Sequence, residues 1–176
     1  MKKSALVLSM SLFFAAGSIA AEDEEFFTVT LKDPATGESA GTVKIEESEY
    51  GLVFTPALSG LEAGGHGFHV HENPSCDSAM KDGKKVPAGA AGSHMDPEKT
   101  GQHGYPWADN SHMGDLPILL VDDEGNASHP VLAPRLSLED VKDRALMVHQ
   151  GGDNYSDAPE KLGGGGARAL CGVIGA

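Results

Sequence analysis

The stretch His66-Gly67-Phe68-His69-Val70-His71 constrains this chain more than any other. Side chains on a β-strand alternate between faces, so His69 and His71 share one face while Phe68 and Val70 take the other. Such a strand buries its apolar pair in a core and presents two imidazoles from a rigid backbone. Imidazole is the commonest metal ligand, and two on one strand suit zinc or copper. A lone His-x-His pair is weak evidence. Three further ligand clusters along the chain give it weight.

The rest of the chain supplies the core for that strand. Runs of period two fall at 26–32, 42–46 and 52–55, the last stopped by Pro56, and the His-rich strand covers 66–72. Strands resume at 118–121 and 127–132, on either side of the turn Asp123-Glu124-Gly125-Asn126, and again at 145–149 and 167–174. Ser137 caps a single helical turn reaching Val141. Eight short strands with almost no helix predict an all-β, eight-stranded antiparallel barrel, sandwich-like in its packing. Two stretches, 73–116 and 151–166, lack any period. Loops of that length in a compact domain are functional when something ties them down.

The first loop carries its own fastening. His94, His103, His112 and Asp115 offer three imidazoles and a carboxylate, the closed tetrahedral set of structural zinc. His149, at the end of a strand and before a Gly-rich loop, joins His69 and His71 in a nitrogen-rich set that suits copper. That set is one ligand short, and His94 completes it if its imidazole bridges the two metals.

Residues 1–20 read as a signal peptide. Lys2 and Lys3 precede a short apolar run that ends in the small-x-small site Ser18-Ile19-Ala20. The mature domain is then 21–176, and its expected location is the periplasm. The only two cysteines, Cys76 and Cys171, read as a disulfide in that oxidising compartment. The full sequence has a net charge of −13, and removal of Lys2 and Lys3 makes it more acidic still. Such a charge argues against nucleic acid and anionic membranes as partners.

Three segments together resemble the copper/zinc superoxide dismutases, and the secreted bacterial branch most closely. They are Gly65 to His71, Gly151-Gly152-Asp153-Asn154, and the run from Ala167 to Gly175 that contains Arg168 and Cys171. The resemblance spans essentially the whole mature chain. It implies a Greek-key β-barrel with one copper and one zinc per subunit, and dismutation of superoxide to dioxygen and hydrogen peroxide. It implies copper on His69, His71, His94 and His149, and zinc on His94, His103, His112 and Asp115. It also implies that Arg168 docks the anion, that His94 relays a proton, and that Asp153 accepts hydrogen bonds from His69 and His103. The Cys76–Cys171 bridge is the family's disulfide.

Two departures from the animal members stand out. Lys81, Asp82, Gly83, Lys84 and Lys85 lengthen the segment before His94, and the loop after His149 has no charged guiding helix. Lys81, Lys84 and Lys85 are therefore the candidates for steering superoxide toward an acidic protein. Tyr105 and Trp107, in the zinc loop, are candidate anchors of a two-fold homodimer, with a monomer as the alternative. His66 is expected to be a structural hydrogen-bonding residue, and Met80, Met95 and Met113 to be packing residues. A copper-storage protein and a metal-dependent hydrolase are the competing functional classes. The first gives Arg168 and Asp153 no task, and the second needs an unassigned general base beside the metal.

Overall fold

The computed structural model describes residues 25–176. The expected signal peptide, 1–20, lies outside the described residues. The described chain runs β1 (Phe26–Lys32), β2 (Ser39–Ser48), β3 (Gly51–Leu58), β4 (Gly64–His66), β5 (Phe68–His71), β6 (Ala79–Lys81), β7 (Lys84–Val86), β8 (Leu119–Val121), β9 (Val131–Ala133), α1 (Leu138–Val141), β10 (Ala145–His149) and β11 (Arg168–Val173). Seven strands make one curled antiparallel sheet in the order β5-β10-β11-β1-β2-β3-β9, while β4 pairs with β8. The fold is a Greek-key β-barrel. Its core is a continuous apolar cluster that includes Leu31, Ile45, Phe54, Phe68, Val70, Leu116 and Leu146.

The His-rich strand is broken at Gly67. Before it, His66 pairs with Leu119 on β8; after it, His69 and His71 pair with Met147 and Ala145 on β10. Gly67 itself exchanges backbone hydrogen bonds with Gly151 and His149. The change of partner at one residue hands the strand from one side of the barrel to the other.

Three local expectations are corrected. Pro56 does not stop β3: it sits inside the strand opposite Val43. Its nitrogen points away from β2, into the gap between the Phe54–Val131 pair and the Leu58–Ala127 bridge, so no ladder bond is lost. The strand expected over 127–132 is reduced to β9 plus that bridge, because Pro130 interrupts pairing. The long loop is not without regular structure. β6 and β7 form a hairpin closed by Asp82-Gly83, both at positive φ (51° and 74°), the geometry of a two-residue primed turn. Ser137 caps α1 as expected, its N–H and hydroxyl both donating to the Asp140 carboxylate.

Candidate metal centre

β5 and β10 lie side by side, so the alternation on β5 and the end of β10 bring His69, His71 and His149 to one face. The first long loop folds over that face. Isolated bridges His69–Asp115 and His71–His94 pin it there, and the imidazoles become buried. Donor atoms of His69, His71, His94 and His149 all lie within 4.8 Å of one another.

Hydrogen bonds assign a free nitrogen to each ring. His71 donates from Nδ1 to the Gly92 carbonyl (3.1 Å) and His149 from Nδ1 to the Gly166 carbonyl (3.3 Å). Their bare Nε2 atoms therefore face each other at 3.4 Å, a repulsive contact between lone pairs that a cation between them makes attractive. His69 commits Nε2 to Asp153 Oδ2 (2.8 Å), and its buried Nδ1 has no partner among the described residues. His94 turns Nδ1 to Asp115 Oδ1 (2.8 Å), and its buried Nε2 is likewise unpartnered. Two orphaned ring nitrogens beside two opposed lone pairs fit a soft-to-borderline cation such as copper.

The set expected for zinc converges on one oxygen. Asp115 Oδ1 faces Nδ1 of His94, of His103 (2.9 Å) and of His112 (3.4 Å). By distance alone, His69 groups with His94, His103 and Asp115 more closely than His112 does. His112 also turns its Nδ1 to the shared carboxylate, whereas His69 Nε2 is bonded to Asp153. His94, like His69, belongs to both donor groups, and its Nδ1 is the nitrogen turned to Asp115.

The electrostatics follow from burial and neighbours. Burial, then the nearby His94 and His149, push His69 and His71 well below the ordinary imidazole value, and burial holds His94 lower too. His149 is brought down to about 4, chiefly by burial. Burial alone would lower His103 as well, but hydrogen bonds to Asp115 and Asp153 raise it to about 9. The three imidazoles bonded to Asp115 outweigh its burial and hold it far below the carboxylate range.

Outer contacts fix the inner ones. Asp153 spans the two sites, accepting from His69 Nε2 and from His103 Nε2 (2.8 Å each). Gly163 leaves room for it: at φ +71°, an added Cβ would sit 2.1 Å from Asp153 Oδ1 and 2.7 Å from His103 Nε2. Arg168 donates to the carbonyls of Ala88 and Gly92, and Gly92 is the same carbonyl that orients His71. Cys76 and Cys171 are bonded, with Cα atoms 5.8 Å apart.

A cleft of about 730 Å³ leads to this site, lined by His71, His94, His149, Arg168, Lys81 and Met80 among others. Lys84 and Lys85 are exposed on the opposite strand of the hairpin and are not among its lining. Met80 is 69% exposed at the cleft, which corrects its reading as a packing residue; Met95 is buried and Met113 packs against the core. His66 bridges the carbonyls of His149 (2.7 Å) and Glu62 (2.8 Å), a structural role. Tyr105 and Trp107 stack on one another and are exposed, joined by Tyr155 from the second loop. Two residues escaped the sequence reading. Asp157 accepts from the His103 N–H (2.9 Å), and Arg135 grips the zinc loop. Both act on backbone groups far away in sequence, and nothing local in the sequence marks that.

A Greek-key barrel with two adjoining, overlapping groups of buried metal-ligating side chains, reached by an arginine-bearing cleft, defines a class of binuclear metalloenzyme. The family model of copper/zinc superoxide dismutase (SODC) matches residues 39–174. Over 148 residues the chain is 61% identical to a superoxide dismutase [Cu-Zn] of Pasteurella multocida, covering 83% of this chain and 80% of that one. Its fold matches a solved Cu/Zn superoxide dismutase from Brucella abortus with a TM-score of 0.83 and 54% identity, covering 85% and 99%. It also matches the monomeric copper, zinc superoxide dismutase from Salmonella enterica, with a TM-score of 0.76 and 53% identity over 85% and 99%. The chain belongs to the copper/zinc superoxide dismutase family, with bacterial relatives. Its cofactors are copper and zinc.

Proposed function

We propose that this enzyme converts two superoxide anions and two protons to dioxygen and hydrogen peroxide at the cleft floor, with His94 as the proton carrier. The observation that carries this reading is the division of His94, whose Nδ1 faces Asp115 while its buried Nε2 has no partner among the described residues, the ring itself lying in one donor group with His69, His71 and His149. Copper held by His69, His71, His94 and His149 supplies one-electron redox chemistry, and zinc held by His94, His103, His112 and Asp115 supplies a fixed positive charge. The chain's own residues do the rest. His94 Nε2 takes up a proton and gives it to the forming peroxide, and its other nitrogen, anchored on the zinc side, keeps the ring in place. Arg168 binds the anion through N–H groups left over from its two carbonyl contacts. Asp153 holds His69 and His103 in single orientations. Lys81 at the cleft, with Lys84 and Lys85 nearby, attracts the anion against the net charge.

The test is superoxide consumption by protein reconstituted with copper and zinc against zinc alone. Activity in the first only is expected, and activity with zinc alone overturns the redox reading. His94→Ala separates the bridge. It should retain copper on the other three imidazoles with a changed spectrum, and an unchanged spectrum with full zinc removes the bridging role.

The disulfide and the bacterial relatives indicate an extracytoplasmic protein. We infer that residues 1–20 direct it to the periplasm, where it removes superoxide, and that the mature chain begins at Ala21. N-terminal sequencing of the exported protein checks this. We also infer a two-fold homodimer centred on Trp107, which is 61% exposed and stacked on Tyr105. The Salmonella relative described as monomeric is the contrary precedent. Sedimentation of wild type and Trp107→Ala at micromolar concentration decides, and a monomeric wild type removes the proposal.

A further inference from the structure

Arg135 lies in the turn between β9 and α1, far from every metal ligand in sequence. Its base is rigid: β9 is paired with β3, and the first N–H of α1 donates to Glu47 on β2 (2.8 Å). From there the guanidinium reaches across to the zinc loop. Nε donates to the Pro106 carbonyl (2.9 Å), Nη1 to the Ser111 carbonyl (3.4 Å), and Nη2 to Ser111 Oγ (3.1 Å) and to the His112 carbonyl (2.7 Å). Ser111 Oγ in turn donates to the carbonyls of Tyr105 and Ala108. One planar cation thus fastens both ends of the segment 106–112. At one end sits a zinc ligand. At the other sits the exposed aromatic face, since Pro106 lies between Tyr105 and Trp107.

We propose that Arg135 is a positioning residue for zinc, which presets His112 through its backbone and couples the zinc site to the Tyr105–Trp107 face. The proposal rests on the reading of His94, His103, His112 and Asp115 as the zinc ligands. The chemistry favours arginine for this task. A guanidinium offers five donors in a fixed fork and can satisfy three separate positions at once, whereas an ammonium is a single point. Loop carbonyls bonded to a cation are also held in place when no metal holds them, so the zinc ligand on that segment is ordered in advance.

The experiment uses the copper- and zinc-loaded enzyme with excess EDTA, and compares wild type, Arg135→Gln, Arg135→Lys and His112→Ala. Zinc release, copper release and emission of Trp107, the only tryptophan in the chain, are followed together. Arg135→Gln should release zinc about ten-fold faster than wild type, at the low end for an outer contact of a metal ligand. Arg135→Lys should lie between the two, and copper release should change far less than zinc release. Trp107 emission of zinc-loaded Arg135→Gln should already lie toward the value that wild type reaches when zinc leaves. Cobalt substituted for zinc should give altered visible bands in Arg135→Gln. Wild-type zinc release and cobalt bands in Arg135→Gln, beside fast release in His112→Ala, remove the clamp and leave the ligand reading intact. Copper lost as fast as zinc makes Arg135 a general fold contact and also removes the clamp. Zinc release from His112→Ala at the wild-type rate overturns the ligand reading, and the clamp with it.

Discussion

At the scale of single residues, the site is a set of imidazoles whose protons are already assigned. Asp153 does this for two rings at once, so Asp153→Ala should weaken both metals, zinc and copper each by about 10- to 100-fold, measured by competition with chelators. The opposite shifts of the histidines also set how the metal-free protein responds to pH. His149, lowered to about 4, and His69 and His71, also lowered, contribute stability that is present above the ordinary imidazole value near 6.5 and is lost as pH falls toward 4. His103, raised to about 9, contributes stability that is complete below 6.5 and is lost as pH rises through 9. Metal-free protein should therefore melt highest near neutrality, and a scan of melting temperature against pH checks it. Zinc uptake at pH 7 should release about one proton, from His103, read by calorimetry in buffers of different ionisation enthalpy.

At the scale of elements, two long loops and the barrel hold one another. The Cys76–Cys171 bridge ties the first loop to β11, three residues from Arg168, and closes a span of 95 residues. In the chain-entropy account a loop of that size is worth about 4.7 kcal/mol at most. Reduction should lower the melting temperature of the metal-free protein by roughly 10 °C and free the Ala88–Gly92 carbonyls that grip Arg168. Scanning calorimetry with and without reductant checks the first effect, and a slower rate with copper retained checks the second. Sequence reached part of this scale well. Alternation in 66–71 gave the imidazole face because a strand of period two leaves no choice of side. The hairpin at Asp82-Gly83 is marked in the sequence only by its turn residues, because strands of three residues show no readable period. Pro56 does not end β3, since proline is excluded from a ladder only where a backbone N–H is needed. Asp153 and Arg168 were legible only through family resemblance, and Arg135 and Asp157 not at all, because their partners are backbone groups brought near by the fold.

At the scale of the whole molecule, an acidic protein must attract an anion. The chain carries a net charge of −13, yet the cleft is lined by Arg168 and Lys81. Screening shortens the reach of such a field to about 10 Å at 0.1 M salt. The second-order rate should fall as salt rises, and Arg168→Glu should be slower by about ten-fold or more with copper still bound. A rate indifferent to both would remove electrostatic guidance.

The adjacency of β5 and β10 carries a further consequence, for the order in which the molecule assembles. His71 and His149 stand 78 residues apart in sequence and meet only through that pairing. Closing so long a span is entropically slow, and contacts of this kind form late in folding. A nascent chain offers copper the local pair on β5, and the buried group that also holds His149 is brought together by the finished sheet. On refolding of the metal-free chain, copper absorption should rise no faster than the circular dichroism of the sheet. Maturation then has a direction imposed by connectivity alone, with the barrel first and its redox metal last.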